Sequence, residues 1–238
     1  MDFRSYGSER LNCNKIVCRL PQPASQKKGM TRVNPKQIKN LVFDMGNVLV
    51  RYNAEWVCKA LIPKEARKEI ISTVFQSQEW IFLDMGVMTE EEALSHWQSR
   101  LPDEAMKRFA AEVFWHWHEY NMQPIEGMDE LIRDYKKQGF GIYLCSNASV
   151  RMKLCYKKVI PAIDCFDGVL FSAEEKLLKP QKEIYERLFS KFSLRPEECF
   201  FIDDLEMNIE GARACGMEGL CFTGQDAGKL REMIKILI

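Results

Sequence analysis

The sequence predicts an α/β fold, a parallel sheet covered by helices on both faces, with an all-helical insertion. Three observations predict it. From Gly127 onward, short apolar runs alternate with amphipathic stretches, the rhythm of a parallel sheet joined by helices. Residues 54–120 carry helical spacing and few strand signals. Each polar cluster follows the carboxyl end of a candidate strand, the edge where open parallel sheets bind ligands.

Composition bounds the answer. The 238 residues are 46% hydrophobic, enough for one sizeable core and a smaller inserted domain. Formal net charge is zero and the basic residues are scattered, so no nucleic-acid or anionic-membrane surface is expected. There is no run of about eighteen apolar residues and no signal-like apolar stretch. The nine cysteines, at 13, 18, 58, 145, 155, 165, 199, 215 and 221, show neither CxxC nor Cys/His ligand spacing. Buried reduced thiols are expected, which places the protein in the cytoplasm. Residues 1–38 are polar and basic and read as a disordered leader, with Met30 a candidate start.

Taken in order, Leu41-Val42-Phe43 is a buried strand stopping at Asp44, with Gly46 in a tight turn. Helices are expected at 55–61, 64–75, 90–100 and 104–120. Thr89 followed by three glutamates supplies an N-cap and an acidic first turn. Residues 128–138 form an amphipathic helix ending at Gly139. Strands follow at 141–145, 169–171, 199–202 and 219–222, with helices at 180–192 and 209–215. Asp44, Ser146-Asn147, Lys179 and Asp203-Asp204 therefore converge at one sheet edge.

Three carboxylates in one region repel unless a cation joins them. Oxygen ligands with room for water and a phosphate suit magnesium (Mg2+). A carboxylate can attack phosphorus when a metal and a lysine offset the charge. Lys179 supplies fixed positive charge, and Ser146 and Asn147 with nearby N–H groups can hold phosphate oxygens. Each residue alone has a plain structural use: an aspartate after a strand often caps a turn, and Lys179-Pro180 is an ordinary helix entry. Four clusters at four strand ends favour chemistry.

These residues resemble the haloacid dehalogenase-like hydrolases over roughly residues 39–225. Phe43-Asp44-Met45-Gly46-Asn47-Val48-Leu49 is similar to their first motif, in the FDxGNVL-type subgroup that includes alpha-D-glucose-1-phosphate phosphatase-like proteins. Leu144-Cys145-Ser146-Asn147 is similar to the second, and Ser172 through Lys179-Pro180, with Ile184-Tyr185, to the third. Phe201-Ile202-Asp203-Asp204, Asn208-Ile209-Glu210-Gly211-Ala212 and Gly216 are similar to the fourth. The resemblance implies a Rossmann-like core over 39–53 and 121–238, with an α-helical cap over 54–120. It implies Asp44 as nucleophile and metal ligand, the Gly46 carbonyl facing the metal, and Ser146 with Asn147 on phosphate. Lys179 would steady both, and Asp204 would bind metal directly, with Asp203 direct or through water. The implied reaction is Mg2+-dependent hydrolysis of a small phosphorylated metabolite, a sugar phosphate among the candidates, through an aspartyl-phosphate. A monomer or homodimer is expected.

Two positions depart from the pattern. Many of these phosphatases carry a second aspartate two residues after the nucleophile, as acid and base; here that position is Gly46. Lys176 stands where glycine is frequent, altering the loop or adding charge. His116 and Glu119, in the aromatic stretch Trp115–Tyr120 whose rings are expected in the core or cap interface, are candidates for a substitute acid. Trp80, Asp84, Gly86 and Thr89 are expected in a loop before the second cap helix. Two alternatives remain on the same fold: a metal-independent 2-haloacid dehalogenase, which also lacks the second aspartate, and a non-catalytic phosphometabolite- or partner-binding module.

Overall fold

The computed structural model describes residues 38–238, so the expected leader lies outside the described residues except for Ile38. The chain opens with β1 (Asn40–Phe43) and the short β2 (Val50–Tyr52). The helices α1 (Glu55–Leu61), α2 (Lys64–Ile70), α3 (Gln78–Met85), α4 (Glu90–Ser99) and α5 (Glu104–Tyr120) follow. Then come β3 (Met122–Pro124), α6 (Met128–Lys137), β4 (Gly141–Ser146), α7 (Tyr156–Val159), β5 (Gly168–Phe171) and α8 (Ser172–Glu175). The chain ends with α9 (Lys182–Phe192), β6 (Cys199–Asp203), α10 (Glu206–Ala214), β7 (Glu218–Cys221) and α11 (Ala227–Leu237). No helix among the described residues is long and apolar enough to cross a membrane.

Five strands form one parallel sheet in the order β5-β4-β1-β6-β7. The connections step to one side of β1 and then to the other, so β1 is the switch point where a crevice opens at the strand ends. The period of two explains the two cores. Leu41, Phe43, Leu144 and Ile202 pack with Leu131 of α6 and Leu230 and Ile234 of α11. Val42, Cys145, Leu170 and Phe201 pack with Ile184 and Leu188 of α9 and Ile209 of α10. Burial on both faces is why these strands read as apolar runs without alternation.

The inserted helices stand on a stalk, β2 paired antiparallel with β3. Asn121 closes its base: its Oδ1 accepts from the Val57 N–H at 2.9 Å and its carbonyl from the Asn53 N–H at 3.0 Å. Helix α5 is the spine, burying Ala110, Val113, Phe114 and Trp117 against α1, α2 and α4. Thr89 and Glu92 form the full capping box that starts α4.

Three local expectations are corrected. The helix expected over 64–75 is α-helical only to Ile70 and continues as a π-helical turn, Ile71–Phe75. Trp80 and Asp84 lie on α3, not in a loop. Apolar Ile81 and Phe82 are exposed beside buried Leu83, so α3 shows no single apolar stripe to betray it. The β2–β3 ladder and α11 were not expected; three-residue strands have no period to read.

Two anchors bind this helical layer to the sheet. Arg151 forks onto Glu90 with two bonds of 2.7 Å and lies 4.7 Å from the Trp115 ring centre. The Ser172 hydroxyl donates to the Asp84 carbonyl at 2.5 Å. Beside it Gly86 has φ +71°, and a Cβ there would meet the Ala173 carbonyl oxygen at 2.1 Å. Gly86→Ala adds this clash to left-handed strain, and is expected to cost more than about 1–2 kcal/mol in a urea melt.

Candidate active site

The site grows from strand ends. Asp44 continues the ladder after β1, its N–H donating to the Ile202 carbonyl at 2.8 Å. Asp203 ends β6 and is fully buried. Lys179, just before α9, reaches between them: its Nζ lies 2.8 Å from Asp44 Oδ1 and 2.6 Å from Asp203 Oδ2. Its side chain is 1% exposed. Burial works against this charge, but Asp44 and Asp203 outweigh it and hold the ammonium above its ordinary range.

The two aspartates at the end of β6 divide their tasks. Asp203 Oδ1 accepts from the Leu205 N–H and the Asn208 side-chain amide, both at 2.9 Å, and Oδ2 accepts from Lys179. Asp204 accepts from the Asn47 amide at 3.1 Å and is open to the cavity. Burial first, and then the charge of Asp44, push the Asp204 carboxyl up to about 6. Burial also raises Asp44, with Lys179 acting in the opposite direction and Asp203 adding to the rise. Ser146, beside Asp44 in the cavity lining, also acts to lower the Asp44 carboxyl.

Asp44, Asp203 and Asp204 each offer one oxygen, and these lie within 4.8 Å of one another. Asp44 Oδ1 is buried and, apart from the ion pair with Lys179, has no hydrogen-bond partner. Three clustered carboxylates, with Asp44 and Asp204 raised by burial, are the donor set that fits a hard divalent cation. Asp204 and Asp44 have capacity left for one, while the oxygens of Asp203 are engaged.

A cavity of about 260 Å³ opens over this floor. Asp44, Gly46, Ser146, Asn147, Lys179 and Asp204 line it, whereas Asp203 lies beneath. Its wall comes from the inserted helices and the stalk, with Trp80, Trp117, Tyr52 and Met122 facing in. The Trp80 and Trp117 rings meet edge to face at 5.2 Å.

Asn147 holds more than sequence suggested. Its side-chain oxygen accepts from the Lys179 N–H at 2.8 Å, and its amide donates to the Lys179 carbonyl at 3.0 Å. The side chain thus clamps the lysine loop. Gly46 faces open space: a Cβ built there meets nothing within 4 Å. His116 and Glu119, the expected substitute acids, bond to each other at 3.2 Å on the outer face of α5 and do not line the cavity. Helical geometry turns Trp117 inward and His116 and Glu119 out. The sequence reading missed Asn47 and Asn208 as holders of the aspartates. Both stand inside motifs, but spacing does not say which carboxylate each amide meets.

Lys176 is exposed and outside the cavity. Its φ of +56° is the left-handed conformation that glycine adopts freely. Lys176→Gly is expected to stabilise the fold by about 0.5–1 kcal/mol in thermal or urea melts, without changing the cavity.

A sequence profile of haloacid dehalogenase-like hydrolases matches residues 38–216. The chain belongs to this family. Among curated relatives, the sesquiterpene phosphatase astK of Aspergillus oryzae is 26% identical over 200 residues, 82% of this chain and 96% of the relative. The ribulose-1,5-bisphosphate 5-phosphatase of Halopiger xanaduensis is 26% identical over 128 residues, 53% of each chain. Among solved structures, a haloacid dehalogenase-family enzyme of Bacteroides thetaiotaomicron, complexed with magnesium and inorganic phosphate, superposes with TM-score 0.63 at 23% identity. It covers 81% of this hydrolase and 98% of its own chain, a likeness of fold.

Proposed function

We propose that this hydrolase is a magnesium-dependent phosphatase that cleaves a small phosphorylated metabolite through an aspartyl-phosphate on Asp44. One observation carries the reading: a buried lysine ties Asp44 to Asp203, with Asp204 offering an oxygen within 4.8 Å. In this reading residues 39–53 and 121–238 are the catalytic core, and 54–120 the cap. Cysteine usage favours the cytoplasm.

Asp44, Asp204 and the Gly46 carbonyl would hold the ion, with Asp203 orienting Lys179. Magnesium, when bound, offsets charge on the phosphoryl oxygens. Lys179 favours the charged form of Asp44 against burial and steadies the same oxygens, and Ser146 donates to them. An Asp44 oxygen forms a bond to phosphorus as the bond to the leaving oxygen breaks. Water then attacks phosphorus, the Asp44 bond breaks, and phosphate leaves.

A sugar phosphate is one candidate substrate. The aromatic wall and the relative named as a sesquiterpene phosphatase favour a leaving group with an apolar face. The dehalogenase alternative leaves the acidic cluster without a task, and the binding-module alternative leaves a fully built nucleophile site unused.

Hydrolysis of p-nitrophenyl phosphate is expected to need magnesium, to stop with chelator, and to fall roughly 10⁴-fold or more in Asp44→Asn. Equal turnover by the two proteins would exclude Asp44 as nucleophile; magnesium-free halide release from 2-chloropropionate would support the dehalogenase instead. Asn47→Ala, which frees Asp204 from its amide, is expected to weaken magnesium affinity about 10-fold in an activity titration.

A further inference from the structure

We propose that Asp84, carried by cap helix α3, is the general acid and base that Gly46 cannot be. The proposal rests on the phosphatase reading above and supplies its missing proton carrier.

The carboxylates lining the cavity are Asp44, Asp84 and Asp204. Asp44 and Asp204 belong to the charged floor with Lys179. Asp84 enters from the helical insertion, the side on which a leaving group bound to phosphorus would extend. The other titratable side chain in the lining is Tyr52, whose phenol is kept protonated by burial and then by the charge of Asp84.

The placement of Asp84 is built. The Ser172 hydroxyl holds the Asp84 carbonyl, and Gly86 permits close approach to Ala173 two residues later. These contacts fix the end of α3 over the strand ends.

The surroundings suit a group that gives and takes a proton. Burial pushes the Asp84 carboxyl up to about 7, and the Ser149 backbone amide moderates the rise. Several charges on the packed elements are engaged elsewhere. On α8, Glu174 pairs with Lys153 and Glu175 with Lys191. On α4, Glu90 pairs with Arg151, and Arg100 and His96 face Glu79 of α3. A carboxyl titrating near neutrality is matched to both halves of the reaction.

In the first half, Asp44 bonds to phosphorus and the phosphorus–oxygen bond to the leaving group breaks. The electron pair stays on the leaving oxygen, and protonated Asp84 gives it the proton, releasing an alcohol. In the second half, Asp84 carboxylate takes a proton from water as the water oxygen bonds to phosphorus. The Asp44–phosphorus bond breaks, leaving phosphate, Asp44 carboxylate and protonated Asp84.

The test compares wild type with Asp84→Asn, with magnesium, on a simple alkyl phosphate and on p-nitrophenyl phosphate, whose nitrophenolate leaves unaided. In wild type, kcat/KM for the alkyl ester is expected to fall as pH rises through about 7, because the acid form is lost. In Asp84→Asn, kcat/KM for the alkyl ester should fall roughly 100-fold or more and lose that alkaline limb. For p-nitrophenyl phosphate kcat/KM should stay within about 10-fold, while kcat drops and a stoichiometric burst of nitrophenolate appears. A merely structural role would lower kcat/KM for both esters together, without a burst. That result, an unchanged alkyl-ester rate, or a wild-type profile without the alkaline limb overturns the assignment. Wild type inactive on both esters would remove the phosphatase reading and Asp84 with it.

Discussion

The Lys179 ammonium, buried between Asp44 and Asp203, is the interaction on which the rest of the site depends. A charge that deep is costly unless paired and hydrogen-bonded. Three strand ends and one loop must therefore meet at a single point. Asn147 holds the loop from both sides through the Lys179 backbone, and Asn208 holds the far oxygen of Asp203. Each amide fixes a charged group that would otherwise find water. Three carboxylates against one ammonium leave two formal negative charges when all are ionised, the charge of a divalent cation.

The helical insertion answers a different constraint. A parallel sheet offers its strand ends to solvent, and phosphoryl chemistry needs water controlled. Arg151 on Glu90, Ser172 on α3 and the bare Gly86 hold the helical layer over the opening. The layer returns an aromatic wall, with Trp80 against Trp117, and a lone carboxyl, Asp84. The floor is thus ionic and the roof mainly apolar. That contrast raises carboxyl groups by burial at both levels, to about 6 at Asp204 and about 7 at Asp84.

Much of this was legible in the chain. The strands are short apolar runs, three of them stopping at Asp44, Ser146-Asn147 and Asp203-Asp204, because both sheet faces are covered and function sits at one edge. Asp44, Ser146 and Asp204 follow from that rule and Lys179 sits in the loop before α9; their meeting at one cavity is geometric. The helices with a clear apolar stripe, such as α5 and α6, were also readable. Helix α3 was not, since it exposes Ile81 and Phe82 beside buried Leu83. The substitute acid was sought at His116 and Glu119, where composition is suggestive. Helix rotation turns that pair outward and Trp117 inward.

By itself, then, the sequence determined the α/β alternation, the buried strand ending at Asp44 and the polar residue types that follow the strands. These are local properties, set by period, turn residues and the need to bury apolar side chains. Only the tertiary structure decided which amide holds which aspartate, that Asn147 is spent on the Lys179 backbone, and that Asp84 faces the cavity. Those choices depend on the rotation of a helix and the approach of segments distant in the chain. No single stretch of sequence encodes them, because the energy that selects them is the burial and pairing of charges brought together only on folding.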